Sequence, residues 1–137
     1  MSSVLNPYIT FDGEARDALA FYQSVFGGEV SMNTFGEFGN DDDALKDKIM
    51  HGMLSTPSGY TLMCSDRMPD LEHRPGTNFT ISLSGDDADE LRGYFEKLAE
   101  GGTVGVELAQ QVWGDEYGQC TDRFGIDWMV DIYPPSS

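Results

Sequence analysis

The sequence predicts an α+β fold built from two copies of a βαβββ module. Three observations carry that prediction: an internal repeat, matching helix periodicities in the two copies, and matching turn residues. ITFDGEARDALAFY at 9–22 lies over ISLSGDDADELRGY at 81–94 with a shift of 72. After a two-residue insertion, Gly27-Gly28 meets Gly101-Gly102 and Val30 meets Val104, and Gly59–Met63 meets Gly125–Met129 at a shift of 66. Ordered self-similarity of this kind marks a duplicated unit.

Each copy opens on a short strand, Tyr8 to Phe11 or Phe79 to Leu83, that runs into a glycine and an acidic residue, Glu14 or Asp86. Acids at a helix start offset the positive end of its dipole. Ala18, Leu19, Tyr22, Val25 and Phe26 in the first copy make one apolar helical face, as do Ala88, Leu91, Phe95 and Leu98 in the second. The Gly-Gly pairs end both helices. Three strands follow in each copy: Glu29 to Phe35, Ile49 to Ser55 and Tyr60 to Ser65, then Val104 to Leu108, Tyr117 to Thr121 and Ile126 to Ile132. Pro57-Ser-Gly59 and Asp122-Arg-Phe-Gly125 supply hairpin turns. The modules span about 4–66 and 77–133 within one domain of 1–137, joined by a linker at about 67–76 that carries Pro69 and Pro75.

Composition narrows the function. The chain has 137 residues and 39% hydrophobic content, enough for a core without disulfide or metal staples. Its formal charge is −16, which disfavours binding to nucleic acid or anionic membrane. The acidity alone names no ligand. No apolar run reaches the roughly 20 residues of a membrane span, and MSSVLNPYITF lacks a signal peptide's basic and apolar regions, so a cytoplasmic location is expected. Cys64 and Cys120 fall in strands outside any metal-binding spacing and read as buried free thiols. Gly36 to Lys48 reads as a solvated acidic loop, because Asp41-Asp42-Asp43 lacks the alternation and closing Glu of a calcium loop.

Strand parity separates the two sheet faces. Ile9, Phe11, Leu62, Cys64, Phe79, Ile81, Leu83, Ile126, Trp128, Val130 and Ile132 are assigned to the helix side. Asn6, Tyr8, Thr10, Thr61, Met63, Ser65, Asn78, Thr80, Ser82, Asp127, Met129 and Asp131 then face the other way, as a ligand-holding groove or a merely solvated face. His51, beside Met53, reads as a general base, a substrate contact or a hydrogen-bonded structural histidine; His73 reads as exposed. Trp113-Gly-Asp-Glu-Tyr117 offers aromatic faces, with Asp115 or Glu116 to complement a cationic ligand, or else caps the sheet end.

The FY of Ala20-Phe21-Tyr22, the DRFG turn, and the ordered set LNPYITFDG, FYQSVFGGEV, KIMHGML, LMCSDR, LAEGGTV, WGDEYG and DRFGIDWMV resemble the vicinal oxygen chelate superfamily. That superfamily holds glyoxalase I, extradiol dioxygenases, fosfomycin-resistance enzymes and bleomycin-resistance proteins, and the detail is similar to its PhnB-like branch. The resemblance covers essentially the whole chain. It implies a curved mixed sheet with a concave ligand cleft and a homodimer. In metal-dependent relatives a His opens each module's first strand and a Glu stands four residues after the last turn glycine. The corresponding positions are Asn6, Asn78, Met63 and Met129. Amide oxygens and thioethers are poor ligands for zinc, nickel or iron, so neither metal nor cofactor is expected. The resemblance therefore implies a metal-independent small-molecule binding protein, with ligand contacts at Asn6, Tyr8, Met53, Met63, Ser65, Asn78, Trp113, Asp115, Tyr117 and Met129. The other reading is an enzyme of lyase, isomerase or dioxygenase type acting through His51 or an atypical metal site.

Overall fold

A computed structural model describes residues 3–68 and 70–134; Met1, Ser2, Pro69 of the linker and Pro135–Ser137 lie outside the described residues. The chain forms two compact units, Met1–Pro75 and Gly76–Ser137.

In the first unit β1 (Tyr8–Phe11) leads into α1 (Ala15–Phe26), then β2 (Glu29–Thr34), a 3-10 turn at Gly36–Phe38, β3 (Ile49–Ser55) and β4 (Thr61–Asp66). The sheet order is β1-β4-β3-β2, with β1 parallel to β4 and the other pairs antiparallel. The second unit repeats the plan with β5 (Ile81–Gly85), α2 (Ala88–Ala99), β6 (Thr103–Gln110), β7 (Glu116–Thr121) and β8 (Asp127–Ile132), in the order β5-β8-β7-β6. This is the tandem βαβββ architecture that the repeat predicts.

Each helix buries its apolar stripe on its own sheet. Ala18, Leu19, Tyr22, Val25 and Phe26 pack with Phe11, Leu54, Leu62 and Cys64 in the first core, while Leu91, Tyr94, Phe95 and Leu98 pack with Leu83, Cys120, Trp128 and Val130 in the second. Both cysteines are buried free thiols. Burial, reinforced by Asp66, pushes Cys64 up to about 12; burial, reinforced by Asp122 and Asp127, pushes Cys120 up to about 11. A disulfide reagent attacks through the thiolate. Neither thiol is therefore expected to react at pH 8 until guanidinium unfolds the chain, and rapid labelling of the native protein would contradict this packing.

The strand register corrects the repeat alignment. The shift of 66 holds for the last two strands, because Gly52 pairs with Cys64 where Gly118 pairs with Val130, and Met53 with Met63 where Gln119 pairs with Met129. In the first strands, however, Tyr8 pairs with Met63 and Ser82 with Met129, a shift of 74. Helices starting at Ala15 and Ala88 are offset by 73. The sequence alignment at 72 is thus two residues out across the first strand. It put Phe79 in that strand's core, whereas Phe79 precedes β5 and is 84% exposed. Nor is the loop from Gly36 to Lys48 simply solvated, since Leu45 is buried within it and Phe35, just outside β2, is buried too.

Two buried carboxylates fix the local geometry. Asp66 ends β4 and accepts the backbone N–H groups of Ala15 at 3.0 Å and Ile49 at 2.9 Å, tying the start of α1 to the start of β3. Asp122 accepts the N–H groups of Phe124 and Ile126 through one oxygen and the Trp128 indole through the other. Both side chains are 3% exposed.

Candidate functional site

In each unit one sheet face is covered by its helix and the other is open, and alternation decides which side chains reach the open face. In the first unit Tyr8, Met63, Met53 and Ser31 stand in one row across the sheet. Thr10 pairs with Ser65 and Asn33 with His51; continuing the β3–β4 register sets Ser65 beside His51 in a second row. None of these eight residues carries a formal charge with His51 neutral.

Tyr8 and His51 meet over this face. The Tyr8 hydroxyl lies 3.3 Å from His51 Nδ1, and the ring centroids are 5.8 Å apart. They belong to β1 and β3, and β4 runs between those strands. The two side chains therefore bridge β4, above the strand that carries Met63 and Ser65. Sequence reasoning selected all four residues but not the Tyr8–His51 pairing, which needs the order β1-β4-β3. Tyr8 is 51% exposed, and Met53, Met63 and Ser65 are half-buried, so the face is accessible.

The second unit's open face differs. Ser82, Met129 and Gln119 share a row, and Ser84, Asp131 and Tyr117 the next. By the shift of 66, Tyr117 takes the place of His51 and Gln119 that of Met53, a correspondence legible in the repeat. Gln119 donates to the Tyr117 hydroxyl. Trp113 lies in the β6–β7 turn with its ring 6.1 Å from that of Tyr117, edge to face, and is 60% exposed. Asp115 holds the turn through its carbonyl, which accepts Gln111 N–H at 2.8 Å.

The Asp115 carboxyl also reaches Asp131. Burial first, then the hydrogen bond and the negative charge of Asp115, raise Asp131 above the ordinary carboxyl range. A raised value means that the folded chain binds that proton more tightly than the unfolded chain, so this contribution to stability is lost as pH rises through it. Glu116 is not available to a cationic ligand. Arg92 grips it with two bonds of 2.9 and 2.6 Å, which hold Glu116 below its usual range. Asp115 and Asp131 are the acids left beside the aromatic pair.

Asn6 and Asn78 do not form a matched pair. Asn6 bonds to its neighbour's carbonyl, Pro7 O, two residues before β1. Continuing the β5–β8 register makes Thr80 its counterpart, and Asn78 lies further out and exposed. Among the described residues no group of three or more His, Cys, Asp or Glu could hold a metal ion. Amide, thioether and hydroxyl donors at Asn6, Met63, Asn78, Thr80 and Met129 do not fit a Lewis-acidic divalent ion either.

Comparison with known proteins agrees with the fold. The family described as 3-demethylubiquinone-9 3-methyltransferase matches residues 3–131. The crystal structure of protein PA1353 from Pseudomonas aeruginosa is 38% identical, with TM-score 0.86, covering 96% of this chain and 98% of that one. A putative 3-demethylubiquinone-9 3-methyltransferase, PhnB protein, from Bacillus cereus is 19% identical, with TM-score 0.74 over 95% and 99% of the two chains. A glyoxylase/bleomycin resistance protein/dioxygenase domain from Frankia sp. EAN1pec shares the fold at 15% identity, with TM-score 0.66 over 98% and 99%.

Proposed function

The chain belongs to the 3-demethylubiquinone-9 3-methyltransferase family, the PhnB-like branch of the vicinal oxygen chelate superfamily, and on that premise we propose that it is a small-molecule binding protein that works without a divalent metal. The observation that carries this reading is the donor set: where metal-dependent relatives place His and Glu, this chain has Asn6 and Met63 in the first unit and, by the strand register, Thr80 and Met129 in the second. What remains on the open faces is suited to holding a ligand by contact. Tyr8, Met53, Met63 and Ser65 offer apolar and hydroxyl surface in the first unit; Met129, Trp113, Tyr117 and Asp115 offer aromatic surface and negative charge in the second.

The methyltransferase in the family's description finds no support in the helix starts. A nucleotide-type cofactor is commonly cradled by a glycine-rich loop at a helix N-terminus after a parallel strand. Here the first turn of α1 is closed by the Asp66 carboxylate and that of α2 by Asp87, which accepts Glu90 N–H at 3.1 Å. The N–H groups of Ala15 and Glu90 are thus already taken, and neither helix follows a glycine-rich loop of the G-x-G-x-x-G kind.

The test is a thermal-shift screen of small organic molecules. Compounds that raise the melting temperature are expected to lose that effect on Tyr8→Ala or Trp113→Ala, both exposed side chains whose removal spares the core. The Tyr8–His51 contact favours one second reading, a metal-free enzyme with His51 as general base. Conversion of a bound compound, abolished by His51→Ala, would establish that reading over simple binding.

The protein is also proposed to pair as a homodimer. Leu5 in the first unit and Phe79 and Val112 in the second are exposed large apolar side chains of the kind subunit contacts cover. Light scattering is expected to return twice the 15.1 kDa chain mass, and a stable monomer at micromolar concentration would refute it.

A further inference from the structure

We propose that the open face of the first unit's sheet is a site for a soft monovalent cation, Cu(I), bound by Met53, Met63 and His51. Met53 and Met63 are directly opposed across the antiparallel β3–β4 pair. Side chains so placed start about 5 Å apart on the same face. His51 stands two residues from Met53, on the same face, about 7 Å along the strand. A methionine thioether on three rotatable bonds spans such distances without strain.

The pairing with Tyr8 orients the third donor. To come within 3.3 Å of the Tyr8 hydroxyl, the imidazole must lean over β4, the strand that carries Met63. In the tautomer whose Nδ1–H donates to that hydroxyl, Nε2 keeps its lone pair for a metal. A hydrogen bond from the ring nitrogen that does not face the metal is the usual way of fixing a ligating histidine.

Donor chemistry selects the ion. Two neutral thioethers and one imidazole suit Cu(I), which accepts soft ligands in low coordination numbers, and they do not suit magnesium, calcium or manganese, which need oxygen anions. No carboxylate belongs to either row of this face, so nothing in the set attracts a hard cation. The chain's charge of −16 nevertheless raises the local concentration of cations. The two thiols that would otherwise compete for Cu(I) are buried, with their ionisation pushed up to about 12 and about 11.

The site shares Met53 and Met63 with the face proposed for small molecules but does not rest on that reading, which a compound screen tests separately. Silver(I), a redox-inert stand-in, is titrated as the nitrate into full-length protein in chloride-free buffer, with methionine methyl and histidine ring signals followed by NMR. One equivalent is expected to shift Met53, Met63 and His51 while Met32, Met68 and Met129 stay in place. Met53→Leu and Met63→Leu, near-isosteric changes that keep the face packed, should each weaken binding at least tenfold with an unchanged circular dichroism spectrum. The proposal is overturned if these three residues do not respond at one equivalent, if the other methionines respond equally, or if the two leucine variants bind silver as tightly as the original chain.

Discussion

Asp66→Ala is expected to destabilise the first unit by about 3 to 5 kcal/mol, because the change removes two charge-assisted hydrogen bonds and leaves two buried backbone donors unpaired. The donors are Ala15 N–H and Ile49 N–H, and the carboxylate that serves them is 3% exposed. Since a domain's whole stability is of order 5 to 15 kcal/mol, this one change consumes a large share of it. Asp66→Asn keeps one oxygen acceptor and should lose roughly half as much. Urea unfolding followed by circular dichroism measures both variants; an alanine variant within 1 kcal/mol of the original chain would show that the N–H groups find other partners.

Gly102→Ala should cost about 3 kcal/mol by steric overlap alone. A Cβ built on Gly102 would sit 2.0 Å from the carbonyl oxygen of Thr121 and 2.9 Å from Asp122 backbone atoms. Its φ is not among the positive values, so the loss isolates the close approach of the β6 entry to the end of β7. Gly28 is its counterpart at a shift of 74, with Ser55 O at 2.1 Å, and there a φ of +102° adds backbone strain. Gly93, in the middle of α2 with open space around it, is the control. Gly93→Ala should stabilise the helix by about 0.5 to 1 kcal/mol. Equal effects at Gly102 and Gly93 would mean that backbone entropy, not contact, determines the outcome.

These two predictions also mark where the sequence was legible. The Gly-Gly pairs stood out as helix stops, and their second members prove to be needed for strand approach as well. β3 falls at Ile49–Ser55 as its alternation predicts, and both helices bury the faces that their periodicity selects. Alternation and periodicity are local signals, and they survive folding because each strand or helix has one covered face. The first strand of the second unit was misplaced because Phe79, Ile81 and Leu83 alternate as a core strand would. The parallel pairing with β8, a contact over more than 40 residues of chain, leaves no mark in that pattern.

Asp66 and Asp122 were invisible for a different reason. In a chain with 24 acidic residues, a carboxylate reads by default as solvated, and only the backbone N–H groups around these two reveal their role. The candidate site was legible residue by residue and illegible as an arrangement. Tyr8 and His51 were both selected, yet their contact depends on strand order. Asp115 and Asp131 meet because the β7–β8 register pairs Tyr117 with Asp131 and so sets Asp115 at the end of the same strand pair, and Glu116 leaves the candidate set once Arg92 is seen to hold it.

The central claim, that ligand binding here needs no divalent metal, is tested most directly by the metal content of protein purified without chelator and dialysed. The account predicts well under one equivalent of zinc, nickel, iron or manganese. It further predicts no specific rise in melting temperature when these ions are added. A genuine site at 100 times its dissociation constant would stabilise the fold by about 2.7 kcal/mol, an easily measured upward shift. Stoichiometric divalent metal retained after dialysis, and lost on His51→Ala, would contradict the account and make the protein a metalloenzyme candidate.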